Sequence, residues 1–300
     1  MPETSATRVA VIGLGAMGLP MATHLAPAFP VTVFDIDAGR RAQLAAAGAS
    51  EATTPAQAAG NADVVLLAVR DQQQVEAALF GENGAAEALN PGAVVVLTST
   101  VGPDAARETA ARLAESGARL VDAPVSGGPA RAGTGDLLIV ISGDEDSLDA
   151  ARPVLDRLAS TLTEIGREPG DAQALKAINQ LLAGVHIAAA AEAVAMARAL
   201  GLDPATVIDS LSKGAAGSFM LADRGPRMIE AYGDGAEVRS RLDIFVKDMG
   251  IVAGIAKQAH VPTPLASAAQ QLYLLGERAG LGGSDDSSVV TLLSPKEAQR

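Results

Sequence analysis

The segment Arg8-Val9-Ala10-Val11-Ile12-Gly13-Leu14-Gly15-Ala16-Met17-Gly18 sets a strand, a glycine turn and a helix in immediate succession. Val9–Ile12 is a short apolar run, and from Ala16 to Leu25 apolar residues recur at helical spacing. In this G-x-G-x-x-G pattern Gly13 permits a tight turn, Gly15 lets a pyrophosphate approach the backbone, and Gly18 lets helix and strand pack closely. The N–H groups at the helix start face an anion. A second strand, Val31–Phe34, ends on Asp35, where an acidic residue grips a ribose 2′-hydroxyl. The arrangement predicts a bound dinucleotide held by Gly13, Leu14, Gly15, Ala16, Met17, Gly18 and Asp35. The alternative is a glycine turn in an α/β fold with an empty crevice.

Strands and helices continue to alternate through the first half. Helical patterns over 38–47, 72–80, 103–116 and 147–159 separate apolar strands at 62–69, 93–97, 119–121 and 137–142. That rhythm predicts a doubly wound parallel sheet of Rossmann type, whose ligands sit at the carboxyl ends of the strands. Arg70, Thr100 and the Pro124–Gly128 loop fall at that edge. Beyond Gly170 the rhythm changes: residues 172–200 form one long helical pattern with a small-residue middle, and Gly- and Pro-marked helices follow. The expected organisation is an α/β dinucleotide domain over 1–168, a long interdomain helix over 169–200 and an all-α domain over 201–300.

Composition narrows the chemistry. A formal charge of −12 repels polyanions, and two Tyr, five Phe and no Trp offer few stacking platforms, so nucleic acid is not an expected partner. The absence of Cys excludes disulfides, thiolate catalysis and cysteine-bound metal. His24, His186 and His260 share no ligand-like spacing, so no metal is expected. Met1–Thr7 shows no basic segment followed by an apolar core, and no uninterrupted apolar stretch reaches membrane-spanning length. The expectation is a cytoplasmic protein with no membrane partner.

Three segments could carry a reaction. On the long helix, Asn179 and Gln180 follow Lys176 at i+3 and i+4, so one ammonium and two amides share a face. Asp122-Ala123-Pro124-Val125-Ser126-Gly127-Gly128 ends a strand with a hydroxyl and two glycines whose N–H groups suit a carboxylate. It reads equally well as an ordinary strand-to-helix turn. Asp243-Ile244-Phe245-Val246-Lys247-Asp248 places a Lys–Asp pair on a helix, where a solvated ion pair is the ordinary reading.

These segments, in this order and at these separations, resemble the β-hydroxyacid dehydrogenase family from Val9 to about Val290. The resemblance implies an NAD-dependent oxidation of a small hydroxy acid, with Lys176 as the catalytic acid/base. Ser126, Gly127 and Gly128 would hold the substrate carboxylate, and Asn179 or Gln180 would orient the substrate. Val69 would join the NAD contacts, and Thr100 and Lys247 would lie beside the nicotinamide. Residues 178–187, 243–248 and 285–289 follow the pattern of sugar-acid dehydrogenases within the family, which implies L-threonate as substrate. A 3-hydroxyisobutyrate or tartronate semialdehyde enzyme with the same machinery is the alternative. Outside catalysis, the alternative is a dinucleotide-binding sensor or assembly module. Gln180, Arg70 and Phe219 stand where many relatives carry Asn, Pro and Trp. The small-residue stripe on the long helix and the resemblance together imply a homo-oligomer, dimer or tetramer.

Overall fold

The computed structural model describes residues 7–294, so the reading of Met1–Ala6 as free of a leader lies outside the described residues. The chain forms two compact units, Met1–Lys176 and Ala177–Arg300. The first unit opens with β1 (Val9–Ile12), α1 (Gly18–Leu25), β2 (Val31–Phe34) and α2 (Ala38–Ala46). Next come β3 (Ser50–Glu51), α3 (Pro55–Ala59), β4 (Val64–Leu67), α4 (Gln72–Phe80), β5 (Val94–Leu97) and α5 (Pro103–Glu115). It closes with β6 (Arg119–Asp122), β7 (Val125–Ser126), α6 (Gly128–Thr134), β8 (Leu137–Ser142), α7 (Glu145–Leu158) and β9 (Ala159–Gly166).

The strands lie in the order β3-β2-β1-β4-β5-β6-β8-β7, with β9 paired to β8. Pairing is parallel from β3 through β6. Every residue of β1, β4 and β5 is buried, as strands covered on both faces require. Val9 and Val11 point into a core shared with Met21 and Leu25 of α1 and Val154 of α7. Ala10 and Ile12 point the other way, onto Val75 and Leu79 of α4 and Leu113 of α5. This is the doubly wound arrangement that the apolar strands predict.

Two features depart from that prediction. β8 runs antiparallel to β6 and β7, so the far side of the sheet is mixed rather than parallel. β9, parallel to β8, has no apolar signature because most of its residues are exposed.

The long helix α8 spans Asp171–Ala199. Compactness divides the chain inside it, after Lys176, and not at either end. α8 is long and apolar enough to cross a membrane by length and composition, with a mean hydropathy of 1.5 over its most apolar window, although Lys176, Asn179, Gln180, His186 and Glu192 keep its apolar residues from forming an uninterrupted stretch. Alanine and aliphatic residues on every side raise that mean, but part of the apolar surface is core. Ile187, Ala191 and Val194 are packed into the second unit.

The second unit adds α9 (Pro204–Ser212), α10 (Phe219–Glu230), α11 (Leu242–Gln258), α12 (Pro264–Arg278) and α13 (Val290–Leu293). Gly184 lets α11 approach α8: an added Cβ would stand 2.5 Å from the Met249 sulfur. Tyr273 of α12 is fully buried, stacks on Phe245 at 5.3 Å, and donates its hydroxyl to the Gly184 carbonyl at 2.7 Å.

Asp285 and Asp286, whose motif resembles that of relatives, form a buried ion network. Asp285 pairs with Arg227 at 2.5 Å, and Asp286 with Arg224 at 3.0 Å. Burial raises the pKa of Asp285, but the Ser287, Arg239 and Arg227 donors hold it below the ordinary carboxylate value. The motif is therefore a brace for α10. Breaking such a buried pair from one side costs about 3–5 kcal/mol. Asp285→Ala is expected to lower stability by that amount in urea unfolding, and a loss below about 1 kcal/mol would refute the assignment.

Candidate active site

The carboxyl edge of the sheet gathers the residues of the first unit that the glycine pattern singles out. Gly13 leaves β1 with φ +95°, and an added Cβ would meet the Ala68 carbonyl at 2.5 Å. Its N–H donates to the Phe34 carbonyl at 2.9 Å, which joins the turn to the end of β2. A Cβ on Gly15 would meet nothing within 4 Å, so this glycine leaves open space above the turn. α1 starts without a side-chain cap; in its first turn the Leu19 N–H donates to the Gly15 carbonyl at 3.1 Å and Pro20 carries no N–H, so an anion would be met by the backbone of the glycine turn and the Gly18 end of the helix.

Asp35 is buried at the tip of β2. It accepts the Leu14 N–H at 2.6 Å and the Asp37 N–H at 2.8 Å, which lock its carboxylate beside the glycine turn. Arg41 is held by Glu51 at 2.9 Å and by the Asp35 carbonyl at 2.7 Å, while Arg40 stands 3.8 Å from the Asp35 carboxylate. The open turn, the uncapped helix and the oriented carboxylate are a set of groups that fits a dinucleotide with a 2′-hydroxyl. Val69 follows β4 and donates its N–H to the Ser99 hydroxyl at 3.0 Å. Thr100 follows on the loop after β5 and is half-buried.

Two residues that sequence reasoning did not single out fix the start of α8. Asp122, fully buried at the end of β6, accepts the N–H groups of Gly170 and Gln173 at 3.0 Å each. It thereby caps the helix from a distant strand. The Gln173 side chain, 1% exposed, donates to Asp122 Oδ1 at 2.8 Å and to the Ser99 carbonyl at 3.0 Å. Its oxygen accepts the N–H groups of Val101 and Gly102 at 3.0 and 3.1 Å. One amide thus grips the backbone on both sides of Thr100, and Lys176 comes one turn later on α8. Lys176 is buried, with 9% of its surface exposed. Burial raises the pKa of Asp122 above its ordinary value, against the pull of the Gln173, Gly170 and Ser142 donors. The one trace in the sequence is Asp122 ending β6 after Leu120 and Val121, since Asp is disfavoured in strands, and it points to neither partner.

Ser126 lies on β7, opposite Leu138 of β8. Gly127 and Gly128 follow with φ +138° and +76°, a backbone that other residues rarely adopt. Both are half-buried, and a Cβ on Gly128 would meet nothing within 4 Å. The loop therefore offers a hydroxyl near open space at Gly128, while Gly127 packs against Arg131 and Leu137.

In the second unit the two amides behave differently. Gln180 is buried and donates its amide nitrogen to Asp248 Oδ2 at 2.5 Å. Its oxygen accepts from Asn179 Nδ2 at 2.8 Å. Gln180 is thus bonded within the protein, and the half-buried Asn179 is the outer member of the pair. Lys247 approaches Asp248 Oδ1 at 2.9 Å. Asp248 is only 3% exposed, so the pair is buried on the carboxylate side and not the solvated pair that its sequence suggests. Among the described residues no group of three or more His, Asp or Glu could hold a metal ion.

Comparisons with known proteins agree with this arrangement. Residues 8–166 match the family described as the NAD-binding domain of 6-phosphogluconate dehydrogenase. Residues 170–293 match that described as NAD-binding of NADP-dependent 3-hydroxyisobutyrate dehydrogenase. The chain is 42% identical to an L-threonate dehydrogenase of Cupriavidus necator, over 95% of either chain. It is 40% identical to an L-threonate dehydrogenase of Pectobacterium atrosepticum, over 98% of this chain and 96% of that one. A crystal structure described as 3-hydroxyisobutyrate dehydrogenase from Salmonella typhimurium superposes with a TM-score of 0.88 at 37% identity, covering 95% of this chain and 99% of the other. The chain belongs to the β-hydroxyacid dehydrogenase family and is an NAD-dependent oxidoreductase acting on a small hydroxy acid.

Proposed function

We propose that the protein oxidises L-threonate at C2 to 2-dehydro-L-erythronate, with Lys176 as the general acid/base. The observation that carries the reaction is the placing of Lys176: a buried amine one turn beyond a helix start clamped by Asp122 and Gln173. The substrate rests on the L-threonate dehydrogenases at 42% and 40% identity over nearly the whole chain. The description of the Salmonella structure favours 3-hydroxyisobutyrate as a second reading.

Bound NAD, held by the Gly13–Gly18 turn and Asp35, would supply the hydride-accepting chemistry. The chain supplies the rest. The Ser126 hydroxyl and the Gly127 and Gly128 N–H groups hold the substrate carboxylate. Lys176, as the free amine, accepts the proton of the C2 hydroxyl as the carbonyl forms, and as the ammonium it returns that proton in reduction. Asn179 faces the hydroxyl-bearing carbons. A group of this kind contributes about 10²–10⁴-fold in rate.

Steady-state kinetics with NAD test the reading. L-Threonate is expected to exceed 3-hydroxyisobutyrate in kcat/KM by about a hundredfold or more, because a site built to bond hydroxyls rejects analogues that lack them. Lys176→Ala is expected to lower kcat by about 10²–10⁴-fold while NAD affinity stays near wild type. A preference for 3-hydroxyisobutyrate would transfer the assignment to the second reading, and an unchanged kcat in the variant would remove Lys176 from the mechanism.

Cofactor choice follows from Asp35. A carboxylate locked at the ribose position repels a 2′-phosphate; Ile36, 89% exposed, supplies no cation, and the nearby Arg40 and Arg41 are engaged by the Asp35 carboxylate and by Glu51 with the Asp35 carbonyl. NAD is expected over NADP by at least about tenfold in kcat/KM, or about 1.4 kcal/mol. Equal specificity constants for the two cofactors would overturn this.

We also assign the protein to the cytoplasm as a homo-oligomer. Ile178, Leu182 and Met196 on α8 are 63%, 50% and 64% exposed. At i, i+4 and i+18 they lie on one face of α8, with Ala189 and the exposed Glu192 between Leu182 and Met196. Sedimentation is expected to give a multiple of 30.1 kDa for the wild type and the single-chain mass for Leu182→Lys/Met196→Lys. A wild-type monomer would refute the oligomer.

A further inference from the structure

The hydrogen bonds from Asp248 to Asn179 run in one direction, and the direction is chemically forced. A carboxylate facing an ammonium accepts and does not donate. Asp248 Oδ2 therefore takes the Nε2 side of the Gln180 amide, at 2.5 Å, which turns Oε1 of Gln180 away from it. That oxygen in turn takes an N–H of Asn179, at 2.8 Å. Asn179 is thus held with its nitrogen inward, and its carbonyl oxygen is not used in the chain of bonds. Were the buried end an amide or a hydroxyl, both side chains could rotate by half a turn together and present either an oxygen or a nitrogen. Asp248, 3% exposed, with Lys247 2.9 Å from its second oxygen, removes that choice.

We propose that Asp248, acting through Gln180, presets Asn179 as a hydrogen-bond acceptor for a substrate hydroxyl, and so sets selectivity for polyhydroxylated acids over methyl-branched ones. Asp248 and Gln180 are positioning residues here, and Asn179 makes the contact. The inference rests on the substrate reading above. A hydroxyl other than the one being oxidised can donate to the Asn179 oxygen; L-threonate has such hydroxyls, whereas 3-hydroxyisobutyrate has only its reacting hydroxyl and a methyl group, which cannot donate. If the amide turned, its N–H would face the same hydroxyl, which could still accept. The device therefore acts through the strength and geometry of one bond, not by exclusion, and its effect belongs in KM.

The test is a double-mutant cycle on the full-length enzyme with NAD, using Asp248→Asn, Asn179→Leu and the double variant. Asp248→Asn keeps the shape but makes the end of the relay ambivalent. It is expected to raise KM for L-threonate by about tenfold with kcat within about threefold, and to leave KM for 3-hydroxyisobutyrate unchanged. Asn179→Leu, at a half-buried position, keeps the Gln180–Asp248–Lys247 part of the network and is expected to raise KM for L-threonate at least as much. The double variant is expected to match Asn179→Leu alone, because groups acting through one contact are not additive. If Asp248→Asn leaves the ratio of the two KM values unchanged, or if the two losses multiply in the double variant, the inference fails. Should Asp248→Asn not fold, Gln180→Met removes the relay without unpairing Lys247, and the same two outcomes decide. Wild-type kinetics separate this from the substrate reading. If another polyhydroxylated acid is preferred, only L-threonate falls and the cycle is run on that acid. If 3-hydroxyisobutyrate is preferred, the substrate reading and the inference both fall.

Discussion

A single buried carboxylate holds the start of α8. Helix starts carry N–H groups with no partner inside the helix, and here Asp122 meets two of them from the end of β6. A side-chain cap is worth roughly 1 kcal/mol, and the negative charge also complements the helix dipole. The bond also sets position. A cap supplied by the sheet fixes where the helix begins and how it is rotated, and hence where the side chain at Lys176 points. Gln173 completes the fixing by making four more bonds from one side chain. An amide with both oxygen and nitrogen doubly engaged has no alternative rotamer of similar energy.

The same economy of polar groups recurs in the second unit. Asp248 plays towards Gln180 and Asn179 the part that Asp122 plays towards Gln173, as an acceptor that decides which way an amide faces. In both places the residue proposed to meet ligand is supported by one bonded only within the protein. Asp35 differs, since it is held by backbone N–H groups of the glycine turn and of Asp37.

The glycine turn, the alternating strands around it and the long helix were legible because each leaves a local mark. Gly13 and Gly18 are required where a Cβ would strike backbone, and buried parallel strands read as unbroken Val and Leu runs. β9 left no mark, because an exposed edge strand needs no apolar alternation. Gln173 and Asp122 were not legible either. Their partners lie 51 residues apart in the chain, and a lone Gln in a helix start has no pattern of its own. The spacing that put Asn179 and Gln180 on one face was sound, but spacing does not say which of two neighbours is turned inward. Asp248 beside Lys247 looks like a surface pair in any sequence, and only its burial shows that it is part of a relay.

The apolar length of α8 has a consequence for how the protein is made. Its buried face is covered by residues of α11 and α12, such as Phe245, Met249 and Tyr273, which are synthesised only after α8 itself. At ordinary elongation rates the ribosome needs on the order of 4–16 s to pass from the end of α8 to the end of α12. For that interval the nascent chain displays a segment with the length and hydropathy of a membrane span and no partner to bury it. Lys176, His186 and Glu192 interrupt that segment, and ionisable side chains of this kind are costly inside a bilayer.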